Sequence, residues 1–235
     1  MQVTYVTADD VEVSVALPDV DARRVLEGLP VRNFPVYRGR KNYSGYFWSA
    51  TVGGHVVYES LLELSWLWLA DFDRSVSKIA AQPMRWRGDD AGRVRNRIPD
   101  FMCQLADGSV RVVDVKPASM LPRPEVTASL SWTKEVCVAR GWDYDVWTGP
   151  NPVKLRNVQW VAAARLPHAQ GSIDVGETVH AARDGCTFTD LEESRRRAGR
   201  RAPRLEVLGA LWVGDLRCDL DRPIGSETWL EPFDG

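Results

Sequence analysis

No stretch of the chain approaches the roughly 18–20 consecutive apolar residues that a bilayer-spanning helix needs. Its opening, Met1 to Val13, also lacks a basic stretch running into an apolar one, so neither membrane insertion nor export is expected. Cysteine is sparse, and Cys103, Cys137, Cys186 and Cys218 are too widely spaced for a CxxC pair. That removes the common zinc and dithiol arrangements and points to reduced thiols in a cytoplasmic chain. The three histidines, His55, His168 and His180, have no ligand-type spacing and suit surface or core positions better than a catalytic base. Gly53-Gly54 lacks the strand-to-helix setting of a phosphate loop. A net charge of -2 gives no global polyelectrolyte signal, and there is neither an internal repeat nor a low-complexity tract.

What is present is enough chain, 235 residues with 44% hydrophobic content, to bury one large core or two small ones. The basic side chains are mostly Arg: of 30, only Lys41, Lys78, Lys116, Lys134 and Lys154 are Lys. Arg suits phosphate better than the point charge of Lys, although coding bias would give the same count. Residues 195–204, RRRAGRRAPR, hold six Arg, whereas residues 205–235 hold seven acids against two Arg. Such a run forms either a solvated face or a phosphate-contacting segment beside a small C-terminal domain. The turn formers Gly149-Pro150-Asn151-Pro152 set residues 151–235 apart.

Upstream, the periodicity changes in an ordered series. Val11–Leu17 alternates as a strand, and Tyr46–Tyr58, broken at Gly53-Gly54, predicts a hairpin. Ser60–Phe72 is too long and too rich in Leu and Trp for a strand and predicts a buried helix. Ile79–Trp86 predicts one strand that Pro83 pushes to an edge or bulge. Ile98–Leu105 and Val110–Val115 flank the turn Ala106-Asp107-Gly108-Ser109, and a helix over Glu125–Ala139 and a strand over Tyr144–Thr148 follow. The order is helix, three strands, helix, strand across residues 59–150. A β-rich extension, residues 1–58, is expected to pack on that core.

The chemistry gathers on the two strands of the central hairpin. An acid-x-Lys triplet alone is weak, since roughly 0.7 are expected by chance with so few Lys. Position gives Asp114-Val115-Lys116 its weight: Asp114 and Lys116 share a face at a strand end, and Pro99-Asp100 lies on the neighbouring strand. A two-residue loop at Asp107-Gly108 would pair Asp100 with Val115 and turn its carboxylate away. A three-residue loop with a left-handed Gly108 and a bulge would pair Asp100 with Lys116 and Met102 with Asp114, and this bulged register is predicted. Two carboxylates and an ammonium at a strand end suit a hard divalent cation, magnesium or manganese, and a water nucleophile for phosphodiester hydrolysis. Lys116 would orient that water or stabilise transition-state charge, although a surface salt bridge between Asp114 and Lys116 would look the same in sequence. The preceding helix offers Glu59 and Glu63 as a third carboxylate, and Glu63 is preferred because it sits in an apolar helix where an acid needs a partner. Ser60 with Glu63 also reads as a capping box, which does not exclude metal binding.

These residues resemble a known family. A Glu-bearing helix, a Pro-Asp strand and an Asp-x-Lys strand, followed by helix and strand, resemble the PD-(D/E)xK nuclease superfamily over residues 59–148. More narrowly, Ser60, Glu63, Phe72-Asp73, Val76, Gln82-Pro83, Pro99-Asp100-Phe101 and Val115-Lys116-Pro117 resemble, in order, the TnsA-like endonuclease subunit of heteromeric transposases. The resemblance implies an α/β (α+β) fold, with a restriction-endonuclease-like αβββαβ core, the N-terminal β extension and a C-terminal winged-helix-like domain. It implies Glu63, Asp100, Asp114 and Lys116 as catalytic residues and Glu63, Asp100, Asp114 and Val115 as the magnesium contacts. It also implies double-stranded DNA at transposon ends as substrate, a separate DDE-type transposase and an AAA+ regulator as partners, and a nucleoid location when on DNA. A stand-alone restriction or defence nuclease of this fold, and a catalytically silent DNA-binding scaffold, are the alternatives.

In the C-terminal part, Thr187–Arg196 and Arg204–Trp212 predict helices, with Leu216–Leu220 and Thr228–Leu230 as a wing. Candidate DNA contacts are Lys41 in a basic loop, Arg85, Trp86 and Arg87 with Trp86 as an exposed stacking platform, and Arg195, Arg196, Arg197, Arg200 and Arg201.

Overall fold

A computed structural model describes residues 1–32, 43–166 and 173–233. It is a mixed α+β protein with several sheets and, among the described residues, seven α-helices. Among those residues no helix is long and apolar enough to cross a membrane. The chain divides at Gly149 and Pro150 into two compact units.

The first unit is built on a four-stranded sheet in the order β10-β9-β8-β5. Its strands are β5 (Val76–Ala81), β8 (Phe101–Leu105), β9 (Val110–Val115) and β10 (Asp143–Trp147). Neighbours run antiparallel except β9 and β10, which are parallel and joined by helix α3 (Pro124–Arg140). Both faces of the sheet are covered, so alternation along its strands sorts side chains into two cores. On one face Ile79, Phe101, Cys103, Val113 and Val115 meet Trp66, Leu67 and Ala70 of helix α2 (Leu61–Phe72). Trp66 stacks on Phe101 with centroids 4.3 Å apart. On the other face Ala80, Met102, Val110 and Val112 meet Trp132, Val136 and Cys137 of α3. Helix α3 starts on Pro124 and stops at Gly141, whose φ of +72° is the left-handed turn glycine adopts most readily.

A second sheet, in the order β2-β1-β6-β7, closes the α3 face. Its strands are β1 (Gln2–Val6), β2 (Glu12–Ala16), β6 (Arg85–Asp90) and β7 (Arg93–Arg97), and it buries Val3, Tyr5 and Trp86. The N-terminal region also supplies a short helix, α1 (Ala22–Leu26), and the hairpin β3 (Gly45–Ser49) and β4 (Gly54–Tyr58). The hairpin sends Phe47 and Val56 into the α2 face. Its turn is fastened by the buried Asp71, which accepts from Ser49 Oγ at 2.6 Å, Ala50 N at 3.0 Å and Thr51 N at 2.9 Å.

Two features differ from the sequence reading. The single strand expected over Ile79–Trp86 is two strands in two sheets, because the chain breaks at Gln82, whose φ is +45°, and Pro83. Gln82 N still donates to Asp100 O at 2.9 Å, and Pro83, with no N–H, ends the ladder there. The β6–β7 hairpin is therefore an insertion between β5 and β8. The loop joining β8 to β9 does have three residues with Gly108 left-handed at φ +85°, but they are Ala106, Asp107 and Gly108, one place earlier than predicted. A left-handed glycine closes such a loop as its third residue, so Leu105 pairs with Ser109, Met102 with Val112 and Phe101 with Val113. The predicted pairing of Met102 with Asp114 is thus replaced by one shifted two residues.

The second unit has four helices among its described residues: α4 (Pro152–Val161), α5 (Val175–Ala181), α6 (Phe188–Arg197) and α7 (Pro203–Trp212). Three short strands, β11 (Cys186–Thr187), β12 (Leu216–Arg217) and β13 (Trp229–Pro232), pair in the order β11-β13-β12. Most of α7 is buried, including the charged Glu206.

Candidate active site

The capping pair of α2 forms with one change: the Glu63 carboxylate reaches the backbone N–H of Glu59 and not that of Ser60. Ser60 Oγ accepts from Glu63 N at 3.1 Å, and Glu63 Oε2 accepts from Glu59 N at 2.8 Å. This fixes the Glu63 carboxylate at the start of the helix. Burial, and then the nearby negative charge of Asp100, push its carboxyl above the ordinary range. Glu59 precedes the helix and has Arg32 3.5 Å from its carboxylate, and Glu63 is the helix acid that senses Asp100.

Asp100 lies just before β8, and its Oδ2 accepts from Val115 N at 2.8 Å and from Lys116 Nζ at 2.9 Å. Lys116 Nζ also donates to the carbonyl oxygen of Val115 at 3.1 Å. Burial raises the Asp100 carboxyl, Lys116 opposes that, and the charge of Asp114 adds to it. Two acids with raised pKa beside a main-chain oxygen form a donor set that a hard divalent cation would relieve of its charge.

Asp114 is held differently. Its side chain is fully buried; Tyr144 Oη donates to Oδ2 at 2.6 Å, and Nη2 of Arg97 stands 2.6 Å from Oδ1. Arg97, the last residue of β7, loses some basicity to burial but gains more from Asp114, so its pKa lies above the ordinary value. Burial and Asp114 together push the Tyr144 phenol up. The Asp114 carboxylate is thus committed to Arg97 and Tyr144, which leaves Glu63, Asp100 and the Val115 carbonyl as the groups that could hold a divalent cation. Consistent with that, among the described residues no three His, Cys, Asp or Glu side chains converge closely enough to hold a metal ion.

The structure thus brings Asp100, Val115 and Lys116 into contact and puts Glu63 within electrostatic reach. Arg97 and Tyr144 went unread. An Arg three residues before Asp100 and a Tyr on a strand parallel to β9 carry no local pattern that marks them.

The expected DNA contacts divide sharply. Trp86 is 0% exposed, packed edge-on to Trp132, so it is a core residue and not a stacking platform. Alternation on β6 leaves its neighbours Arg85 and Arg87 exposed. Arg195 is buried against Glu206 at 3.0 Å, and Arg200 joins the same carboxylate at 2.5 Å, so these two neutralise an interior acid. Arg196 and Arg197 pair with Glu192 and Glu193 one turn earlier, and Arg201 is exposed. Lys41 lies outside the described residues. No protein-family model matches the chain, and no curated protein is significantly similar to it.

Proposed function

We propose that this chain is a metal-dependent DNA endonuclease of the TnsA-like kind, the subunit that hydrolyses one strand at transposon ends beside a separate DDE-type transposase. The observation that carries the proposal is the meeting of Asp100 and Lys116, from different strands, at 2.9 Å beside Val115 and within reach of Glu63. The connectivity supports it: α2, β5, β8, β9, α3 and a β10 parallel to β9 follow the order of a restriction-endonuclease-like core, with β6 and β7 inserted. In the second unit, α6 and α7 followed by the β12–β13 pair are compatible with a winged-helix-like domain.

Glu63, Asp100 and the Val115 carbonyl would hold magnesium or manganese, with Asp114 completing the set if released by Arg97. When bound, such a cation makes water a better nucleophile and neutralises charge on the phosphate. Lys116, fixed by Asp100 and Val115, is set to orient the attacking water or to offset charge developing on the phosphate. Exposed Arg85, Arg87 and Arg201 would meet the DNA backbone, leaving sequence choice to the partner.

A catalytically silent DNA-binding scaffold is the second reading, favoured by the commitment of Asp114 to Arg97. Calorimetric titration of Mg²⁺ and Mn²⁺ with a short DNA duplex present separates the two. Binding by the wild type that is lost in Asp100→Ala supports the nuclease. A wild type that binds neither metal points to the scaffold.

A further inference from the structure

The metal site proposed above adjoins a buried cation that its chemistry does not use. We infer that Arg97 competes with the metal for Asp114: its guanidinium holds that carboxylate out of the site in the free chain and releases it when a divalent cation binds. The inference rests on the nuclease reading and adds to it a state of the site and the residues that maintain it.

Three observations carry it. First, the pair is buried yet poorly directed. Nη2 of Arg97 is 2.6 Å from Oδ1 of Asp114, but that nitrogen, Arg97 Nε and Asp114 Oδ1 all lack a hydrogen-bond partner of good geometry. A contact held by charge without hydrogen-bond direction can pass to another cation, which keeps the buried carboxylate compensated. Second, the balance of charge leaves room for one cation and not for both. Asp100 and Asp114 already meet Lys116 and Arg97, two carboxylates against two cations, so a divalent ion added to that set overcompensates it unless Arg97 withdraws. Third, Arg97 lies on an edge strand close to Asp100. It ends β7, which among the described residues pairs only with β6 at the margin of its sheet, and Ile98 and Pro99 alone separate it from Asp100 in the chain. Metal drawn to Asp100 therefore acts on the segment that carries the competing guanidinium. Tyr144 completes the hold, donating to Oδ2 at 2.6 Å from β10 on the other side of Asp114.

The test is calorimetric titration of Mn²⁺ alone, at neutral pH, into wild type, Arg97→Gln, Tyr144→Phe, Asp114→Asn and the Arg97→Gln/Asp114→Asn double variant, each first checked for folding by circular dichroism. Arg97→Gln is expected to bind Mn²⁺ about tenfold tighter than wild type, and Tyr144→Phe a smaller step in the same direction. The double variant is expected to bind no tighter than Asp114→Asn. Should Arg97→Gln fail to fold, Tyr144→Phe, which removes one hydroxyl and no charge, decides alone. Unchanged or weaker binding in the folded variants, with the wild type still binding, overturns the competition and leaves the nuclease reading intact. Absence of Mn²⁺ binding in every protein, with and without duplex DNA, overturns both.

Discussion

The ammonium of Lys116 bridges Oδ2 of Asp100, at 2.9 Å, and the carbonyl oxygen of Val115, at 3.1 Å, and so ties the entry of β8 to the end of β9. Lys116→Ala removes the cation that contacts Asp100. Under the proposed function, strand cleavage in the assembled complex is expected to fall by about 100-fold or more. Unfolding free energy should change by only about 1–2 kcal/mol, since the Val115 N–H still serves Asp100. Cleavage on end-labelled DNA and urea denaturation read the two effects separately, and normal cutting by the variant would remove Lys116 from the chemistry.

Glu63 gives a pH dependence with a definite sign. Because its carboxyl is raised in the folded chain, the ionised form costs stability at neutral pH, and that cost disappears as the pH falls below the ordinary Glu range near 4.3. Glu63→Gln keeps an oxygen for the helix cap without the charge. With chelator present, it should unfold at a higher denaturant midpoint than wild type at pH 7, and the two should converge as pH is lowered. A variant less stable than wild type at pH 7 would show that the cap needs the charge.

Trp86 and its two neighbours should behave as opposites. Trp86→Ala empties a fully buried site and should cost about 3–5 kcal/mol. Arg85→Ala and Arg87→Ala should leave stability within about 0.5 kcal/mol while weakening duplex binding. Each should lower the slope of log affinity against log salt by about one phosphate contact. Salt-dependent fluorescence anisotropy with a labelled duplex measures this, and a slope unchanged in both Arg variants would take that face off the DNA.

The basic run of the second unit is expected to split in the same way. Arg195→Ala leaves Glu206, 1% exposed, with half its compensation and should destabilise the chain by about 3–5 kcal/mol. Arg201→Ala, at an exposed position, should be neutral to thermal unfolding. Equal effects of the two would contradict the buried network.

Much of this architecture is legible in the residues themselves. Ser60 and Glu63 announce the start of α2, the Leu and Trp spacing announces its burial, and Asp107-Gly108 announces the β8–β9 turn. What the sequence conceals is long-range. Nothing local to Arg97 or Tyr144 marks them as partners of Asp114, because that contact depends on β7 and β10 being brought to β9 from opposite directions in the chain. The strand β1 was also unread, and it is the partner that pulls β6 away from β5. Trp86 looked exposed because two Arg flank it, yet in a strand the flanking residues point away and say little about the residue between them. Likewise six Arg in ten positions suggested a surface, and only the fold reveals that Glu206 lies beneath two of them.

The distribution of cysteine gives the molecule a chemical label for each of its halves. Cys103 and Cys137 lie on opposite faces of the central sheet of the first unit, and burial pushes both thiols up to about 12. Cys186 and Cys218 belong to the second unit and are partly exposed. A thiolate, not a thiol, attacks an alkylating reagent, so the first pair stays unmodified for as long as its sheet is closed. Iodoacetamide labelling read by peptide mass therefore follows the opening of the first unit without any engineered probe, and mass shifts at Cys103 and Cys137 would report separately on its α2 and α3 faces.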